Sequence, residues 1–270
     1  MTYWWDFCPR MIHVGIWDEV SLEITGPVRI EDVFVSPHLS NDLSQAAVTV
    51  STALSTTRET MADVETTIRY QGRTVASRRR TQALSPGQTD LAVRLEVEQP
   101  QLWWPNGHGE QALYEAEVTV IDRDDDGGAE SDRRRTTFGI RRVELVANET
   151  ADTTARPYTF VVNGRRLYIK GWNWVPLDVM YGVERPEKLE RLLTLARRAH
   201  VNLLRVWGGG LIEKEAFYDL CDRHGIMVWQ EFIQSSSGID NHPSHDSEFV
   251  RMMVREAGQI IPRKRNHPSL

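Results

Sequence analysis

From about residue 14 to 147, apolar and polar residues alternate with a period of two, the mark of strands with one buried face. Val20, Leu22 and Ile24 alternate with Ser21 and Glu23. Val48, Val50, Thr52 and Leu54 line one face of a second run, and Val64, Thr66, Ile68 and Tyr70 that of a third. Leu91, Val93, Leu95 and Val97 form a fourth, Ala116, Val118 and Val120 a fifth, and Phe138 to Leu145 adds another. Turn residues separate them: Gly26-Pro27, Gln71-Gly72, Ser85-Pro86-Gly87 and Asp124-Asp125-Asp126-Gly127-Gly128. About seven short strands with no helical period between them predict an antiparallel sandwich of immunoglobulin type. The Cys…Trp…Cys spacing of antibody domains is absent, so only the architecture is implied. The aromatic-rich segment Tyr3 to Arg10 has no partner run and reads as the tail of another sheet.

After about residue 155 the pattern changes. Phe160 to Ile169 reads as a hairpin with Asn163-Gly164 at a type I′ turn. Pro186 through His200 carries Leu189, Leu192, Leu193, Ala196 and Ala199 at helical spacing. Pro186 and Glu187 sit at its start and Arg197 and Arg198 at its end. Leu203 to Trp207 is a short apolar run suited to a parallel strand. Glu213 to His224 is the next helix, with Phe217, Leu220 and Cys221 inward and Gly225 as its stop. Ile226 to Trp229 is the next strand, and Asp246 to about Pro262 the next helix, with Phe249, Met252, Met253, Ala257 and Ile260 on one face. This βαβαβα order fits either a doubly wound sheet or a (β/α)8 barrel. Gly208-Gly209-Gly210 follows a strand, but no Lys-Ser/Thr pair follows it, which argues against a phosphate loop. Polar and aromatic residues gather where the strands end: Trp172, Asn173 and Trp174, then Arg205 and Trp207, then Gln230 and Glu231. Arg205 reads as a bridge between carboxylates in a barrel interior, and Trp229 as core.

Composition narrows the function. A net charge of −6 argues against a nucleic-acid partner. The basic runs Arg78-Arg79-Arg80 and Arg133-Arg134-Arg135 read as solvated strand ends or loops. No apolar stretch is long enough for a membrane span, and no signal peptide is evident, so a cytoplasmic setting is expected. Cys8 and Cys221 cannot make a disulfide framework and are expected reduced. The histidines are scattered without ligand spacing, and His242 and His245 read as surface residues; no metal or cofactor is expected. The nine tryptophans stand out. Several lie beside Gly, Asn or an acid, a combination that suits sugar rings, whose C–H faces stack on aromatics while their hydroxyls take hydrogen bonds.

Four strings resemble glycoside hydrolase family 2 on its β-mannosidase side. They are Gln101-Leu102-Trp103-Trp104-Pro105-Asn106-Gly107-His108-Gly109 with Gln111 and Leu113-Tyr114; Phe138-Gly139-Ile140-Arg141; Phe160 to Gly164 with Lys170 to Pro176; and Arg205 to Gly210 with Phe217-Tyr218-Asp219 and Val228 to Phe232. Trp5-Asp6-Phe7-Cys8-Pro9-Arg10 with Gly15-Ile16-Trp17 is similar to the closing strands of the family's N-terminal jelly-roll domain. Phe7 and Cys8 stand where that string has tryptophan and glycine. The resemblance implies three pieces: the end of a jelly roll (1–24), an immunoglobulin-like β-sandwich (25–147), and the first three βα units of a TIM barrel (155–270). It implies a fragment of a retaining exo-glycosidase for terminal β-mannosides, acting through two glutamates on later strands. A complete barrel takes about 250 residues, more than this half supplies. By the resemblance, Trp5 and Asp6 hold the terminal sugar, Trp207 walls the −1 subsite, and Glu231, where the family more often has aspartate, accepts hydrogen bonds from sugar hydroxyls. Asn173 and Trp174 are candidates for the same pocket. Alternatives are a β-galactosidase, β-glucuronidase or exo-β-glucosaminidase of the same family, or a non-catalytic carbohydrate-binding module.

Overall fold

The computed structural model describes residues 9, 11, 14–124, 128–148, 158–234 and 242–270. They fall into two compact units. One comprises Leu22–Trp104 and Ala112–Leu167; the other comprises the described residues up to Ser21, Pro105–Gln111 and Tyr168–Leu270.

The first unit is an antiparallel sandwich. Its strands are β1 (Val28–Leu39), β2 (Gln45–Thr56), β3 (Thr60–Tyr70), β4 (Arg73–Leu84), β5 (Gly87–Glu98), β6 (Tyr114–Asp122) and β7 (Glu130–Phe138). They pair as β1-β2-β5 and β4-β3-β6-β7, three strands against four, as in immunoglobulin domains. Alternation fixes the inner faces: Leu91, Val93, Leu95 and Val97 of β5 meet Val64, Ile68, Ala116, Val118 and Val120 in one core. Each fully buried Val, Leu or Ile there contributes about 1.5–3 kcal/mol. The two arginine runs lie within strands β4 and β7, not at strand ends or in loops. They flank the central strands and pair with their acids: Arg79 with Asp63, and Arg135 with Glu117, which also takes Arg69. Burial would raise the Glu117 carboxyl, but the bonds from Arg135 and Arg69 hold it below its ordinary value.

Several expectations shift. Val20, Leu22 and Ile24 form no strand; they are 79%, 88% and 88% exposed, because no neighbouring strand pairs with them. The alternation does not predict strand β1, whose period is broken by a bulge between Ile30 and Asp32. Nor does the alternation predict strand β4, most of whose side chains face solvent. Phe138 to Leu145 spans the ends of two strands: β7 ends at Phe138, the carbonyl of buried Ile140 accepts the Trp103 N–H, and β8 (Val143–Ala147) begins a third sheet. That sheet, β10-β9-β8, uses β9 (Tyr158–Val162) and β10 (Arg165–Leu167). Asn163 and Gly164 between them have φ of 48° and 79°, the type I′ signature.

The second unit holds parallel strands β11 (Gly171–Trp174), β12 (Leu203–Val206) and β13 (Met227–Gln230) in sequential order. Helices α1 (Pro186–Arg198) and α2 (Glu215–His224) connect them, and α3 (Ser247–Lys264) follows. Leu189, Leu193 and Ala196 of α1 and Phe217, Leu220 and Cys221 of α2 pack on one face of the sheet. Gly225 caps α2 in the left-handed region and Asp246 caps α3 through Glu248 and Phe249. Pro105–Gln111 belongs to this unit for a physical reason. Asn106 donates through Nδ2 to the carbonyls of Arg197 and Val201 and through its backbone to that of Gly225. It thereby satisfies orphan acceptors at the ends of α1 and α2. Cys221 is a buried free thiol; Cys8 lies outside the described residues. No described helix is long and apolar enough to cross a membrane.

Candidate functional site

Parallel register lays Asn173 opposite Arg205 and Arg205 opposite Trp229. Strand parity then sorts the faces. Trp174, Leu204, Val206 and Val228 enter the helix-side core, so Asn173, Arg205 and Trp229 share the other face. In a sheet of this kind, chemistry collects at the C-terminal strand ends.

Arg205 is the hub of that face. Its Nε donates to Glu231 Oε1 at 2.6 Å, its Nη2 lies 2.6 Å from the same oxygen, and its Nη1 donates to Asn173 Oδ1 at 3.0 Å. The other Glu231 oxygen, Oε2, accepts the Gly208 N–H at 2.9 Å. Glu231 is thus held from two sides, and Asn173 keeps its NH2 group for another acceptor. The expectation that Arg205 bridges carboxylates resolves into one carboxylate and one amide.

Trp207 follows β12 and is half-buried. Its N–H donates to the Trp174 carbonyl at 3.2 Å, and its own carbonyl accepts the Gly210 N–H at 3.0 Å. Its indole lies across Gly209, where a Cβ would come within 1.9 Å of the ring. A Cβ on Gly208 would meet the Phe232 carbonyl oxygen at 2.6 Å. The glycines that first raised a phosphate loop are there for close approach instead.

Trp174 lies on the other face. It is 6% exposed, its ring centroid is 5.0 Å from that of Phe217, and its Nε1 donates to Glu213 Oε1 at 2.9 Å. Glu213 is buried at 9% exposure, and burial raises its carboxyl above its ordinary value against the opposing Trp174 bond. The structure therefore brings Asn173, Arg205 and Glu231 together, sets Trp207 beside them through Gly208, and sends Trp174 into the core. Trp5 and Asp6 lie outside the described residues. Trp229, read as core from its apolar run, is 54% exposed on the Asn173 face, since parity and not composition sets its side. The bridging role of Arg205 was signalled by a charged residue inside an apolar strand; its amide partner Asn173 was not. Glu213 gave no signal: it reads as the first residue of a helix that begins at Glu215.

A three-over-four sandwich together with sequential parallel βα units defines the class, a β-sandwich with part of a TIM barrel. The sequence model of glycosyl hydrolases family 2 matches residues 28–141, and that of the family 2 TIM barrel domain matches residues 154–270. The chain belongs to glycosyl hydrolases family 2. It is similar to beta-mannosidase B of Emericella nidulans, with 32% identity over 267 residues, covering 98% of this chain and 30% of that protein. The beta-mannosidase B of Thermothelomyces thermophilus is likewise 32% identical over 267 residues, with the same coverage. The crystal structure of the beta-D-mannosidase from Dictyoglomus thermophilum superposes with a TM-score of 0.85 at 34% identity, over 98% of this chain and 31% of that one. The chain spans about 30% of the length of the curated relatives it matches.

Proposed function

We propose that this chain supplies part of the −1 subsite of a retaining exo-glycosidase acting on terminal β-mannosides. The observation that carries the reading is the Asn173–Arg205–Glu231 hydrogen-bonded row beside Trp207. A sugar ring needs a flat apolar wall and fixed polar groups at its edge. Trp207 supplies the wall. Glu231 retains lone pairs for sugar hydroxyls, and Asn173 offers its NH2 group. By the family likeness, Trp5 and Asp6 hold the same terminal sugar, and residues 1–24 are the closing part of a jelly-roll domain. Trp174, whose indole N–H is already bound to Glu213, supports the subsite from behind rather than lining it.

In this reading Glu231 orients sugar and does not cleave it. A nucleophile or acid needs an oxygen directed at the reacting atom, and retaining chemistry needs two carboxyls about 5–5.5 Å apart. Glu231 spends Oε1 on Arg205 and Oε2 on Gly208. By the family likeness, the catalytic glutamate pair lies on barrel strands later than β13. Labelling the nine tryptophans with 5-fluorotryptophan and assigning Trp207 through Trp207→Phe tests the subsite. Methyl β-mannoside is expected to move the Trp207 fluorine resonance, and Glu231→Ala to abolish the movement. An unmoved Trp207 resonance, or one that moves equally in Glu231→Ala, overturns the assignment.

A further inference from the structure

Glu213 is a buried carboxyl that the proposed sugar contacts do not use. Burying such a group is costly unless it is hydrogen-bonded, so its position calls for a reason. Its bond partner is Trp174, and Trp174 also holds the far end of the same loop. The loop from Trp207 to Glu213 begins with the Trp207 N–H donating to the Trp174 carbonyl at 3.2 Å. It ends with Glu213 Oε1 accepting the Trp174 Nε1–H at 2.9 Å. One residue, buried in the helix-side core against Phe217, thus fixes both ends of a loop that contains three consecutive glycines. Glycines leave a loop with many alternative backbone paths. Between the two anchors, the Gly210 N–H to the Trp207 carbonyl and the Gly208 N–H to Glu231 Oε2 further restrain the triplet.

The Trp207 indole rests on this same loop. Its six-membered ring lies over Gly209 so closely that no side chain fits beneath it. Any change in the path of residues 208–213 therefore changes the surface on which the ring lies.

We infer that Glu213 is a positioning residue: by accepting the Trp174 indole N–H it closes the triple-glycine loop and sets the plane of the Trp207 ring. The inference rests on the reading of Trp207 as the sugar-facing wall for its functional meaning, but not for its geometry. Removing the acceptor loosens that end of the loop, which then keeps its backbone ties, the Glu213 backbone bond to Tyr218 among them. Glu213→Gln retains a side-chain oxygen that can accept the indole N–H, so it keeps the clamp. Trp174→Phe keeps an aromatic ring against Phe217 and deletes the donor together with part of the indole's volume.

The test uses the fluorotryptophan-labelled chain without ligand. Glu213→Ala and Trp174→Phe are each expected to shift or broaden the Trp207 resonance, and Glu213→Gln to leave it in place. Two variants approach the clamp from opposite sides, so loss of folding in one leaves the other decisive. The inference is overturned if Trp207 keeps its resonance in the folded variants, or if Glu213→Gln disturbs it as much as Glu213→Ala. Adding methyl β-mannoside separates the two claims. A Trp207 resonance that responds to Glu213→Ala and Trp174→Phe but not to the sugar leaves the positioning role standing and removes the subsite reading.

Discussion

Asn163 shows how one residue serves a turn and a core at once. Its φ of 48°, followed by Gly164 at 79°, makes the tight hairpin between β9 and β10. Its side chain, 2% exposed, accepts the Arg142 N–H at 2.8 Å and donates to the Trp103 carbonyl at 3.0 Å. Asn163→Gly keeps the backbone angle and loses both bonds, leaving a buried carbonyl and N–H to find other partners. It is expected to lower stability by about 1–3 kcal/mol. Asn163→Ala is expected to cost roughly 1 kcal/mol more, since alanine resists positive φ. Urea unfolding of the two variants, compared with the parent, measures both steps; equal midpoints for Gly and Ala would contradict the φ argument. The Asn-Gly turn was legible in the sequence because turn chemistry is local. The bonds to Arg142 and Trp103 were not, because the partners lie 21 and 60 residues away. Asn106 follows the same rule: a motif residue by resemblance, whose work on the ends of α1 and α2 appears only in the fold.

Between elements, the segment after α3 is tied to α2 by a charge cluster. His267 Nδ1 lies 2.7 Å from Asp222 and Nε2 2.9 Å from Glu215, while the ring stacks on Tyr218. Lys264 pairs with Glu215, and Asp219 approaches from the same helix. Asp219, Asp222 and His267 come within 4.8 Å of one another, but both imidazole nitrogens are already committed to carboxylates, which marks the group as an ion cluster. Burial alone would lower the His267 pKa; the bonds to Asp222 and Glu215 outweigh it and raise the value to about 9. A raised histidine stabilises the fold fully below its unfolded value near 6.5, and that contribution fades as pH rises through 9. The barrel unit is therefore expected to lose on the order of 3 kcal/mol between pH 6 and 10. Calorimetry of the parent and His267→Gln over that range checks it: the variant is expected to show a flatter dependence, and parallel curves would refute the cluster's role. Asp222 also accepts the Ser269 N–H, and the Ser269 carbonyl accepts the Val228 N–H, so the cluster seats residue 269 against β13. None of this was legible beforehand, because His267 stands 45 residues from Asp222. The helices themselves were legible, since their caps and apolar stripes are local.

Across the whole molecule the two units differ in how much apolar surface they enclose. The sandwich core includes fully buried residues from both of its sheets. In the barrel unit, Trp172 and Trp229 are about half exposed, at 48% and 54%, and Val250 and Val254 of α3 are 44% and 66% exposed. Apolar surface left in water does not stabilise the fold. Limited proteolysis is expected to leave a resistant core within about residues 22–167 and to degrade 168–270 first; equal resistance of both would contradict this. The change of period from two to a strand–helix alternation made the two architectures legible, and motif strings made the family so. The site was legible only in part: Asn173, Trp207 and Glu231 lie at strand ends that the sequence marks, but the face that Trp174 and Trp229 take depends on parity. The proposed role of the Arg205–Glu231 row is to orient a sugar and not to cut it. Its most direct test is the hydrolysis of 4-nitrophenyl β-mannopyranoside by the purified 270-residue protein. No turnover above the uncatalysed rate is expected; robust turnover abolished by Glu231→Gln would make Glu231 a catalytic carboxylate and contradict the claim.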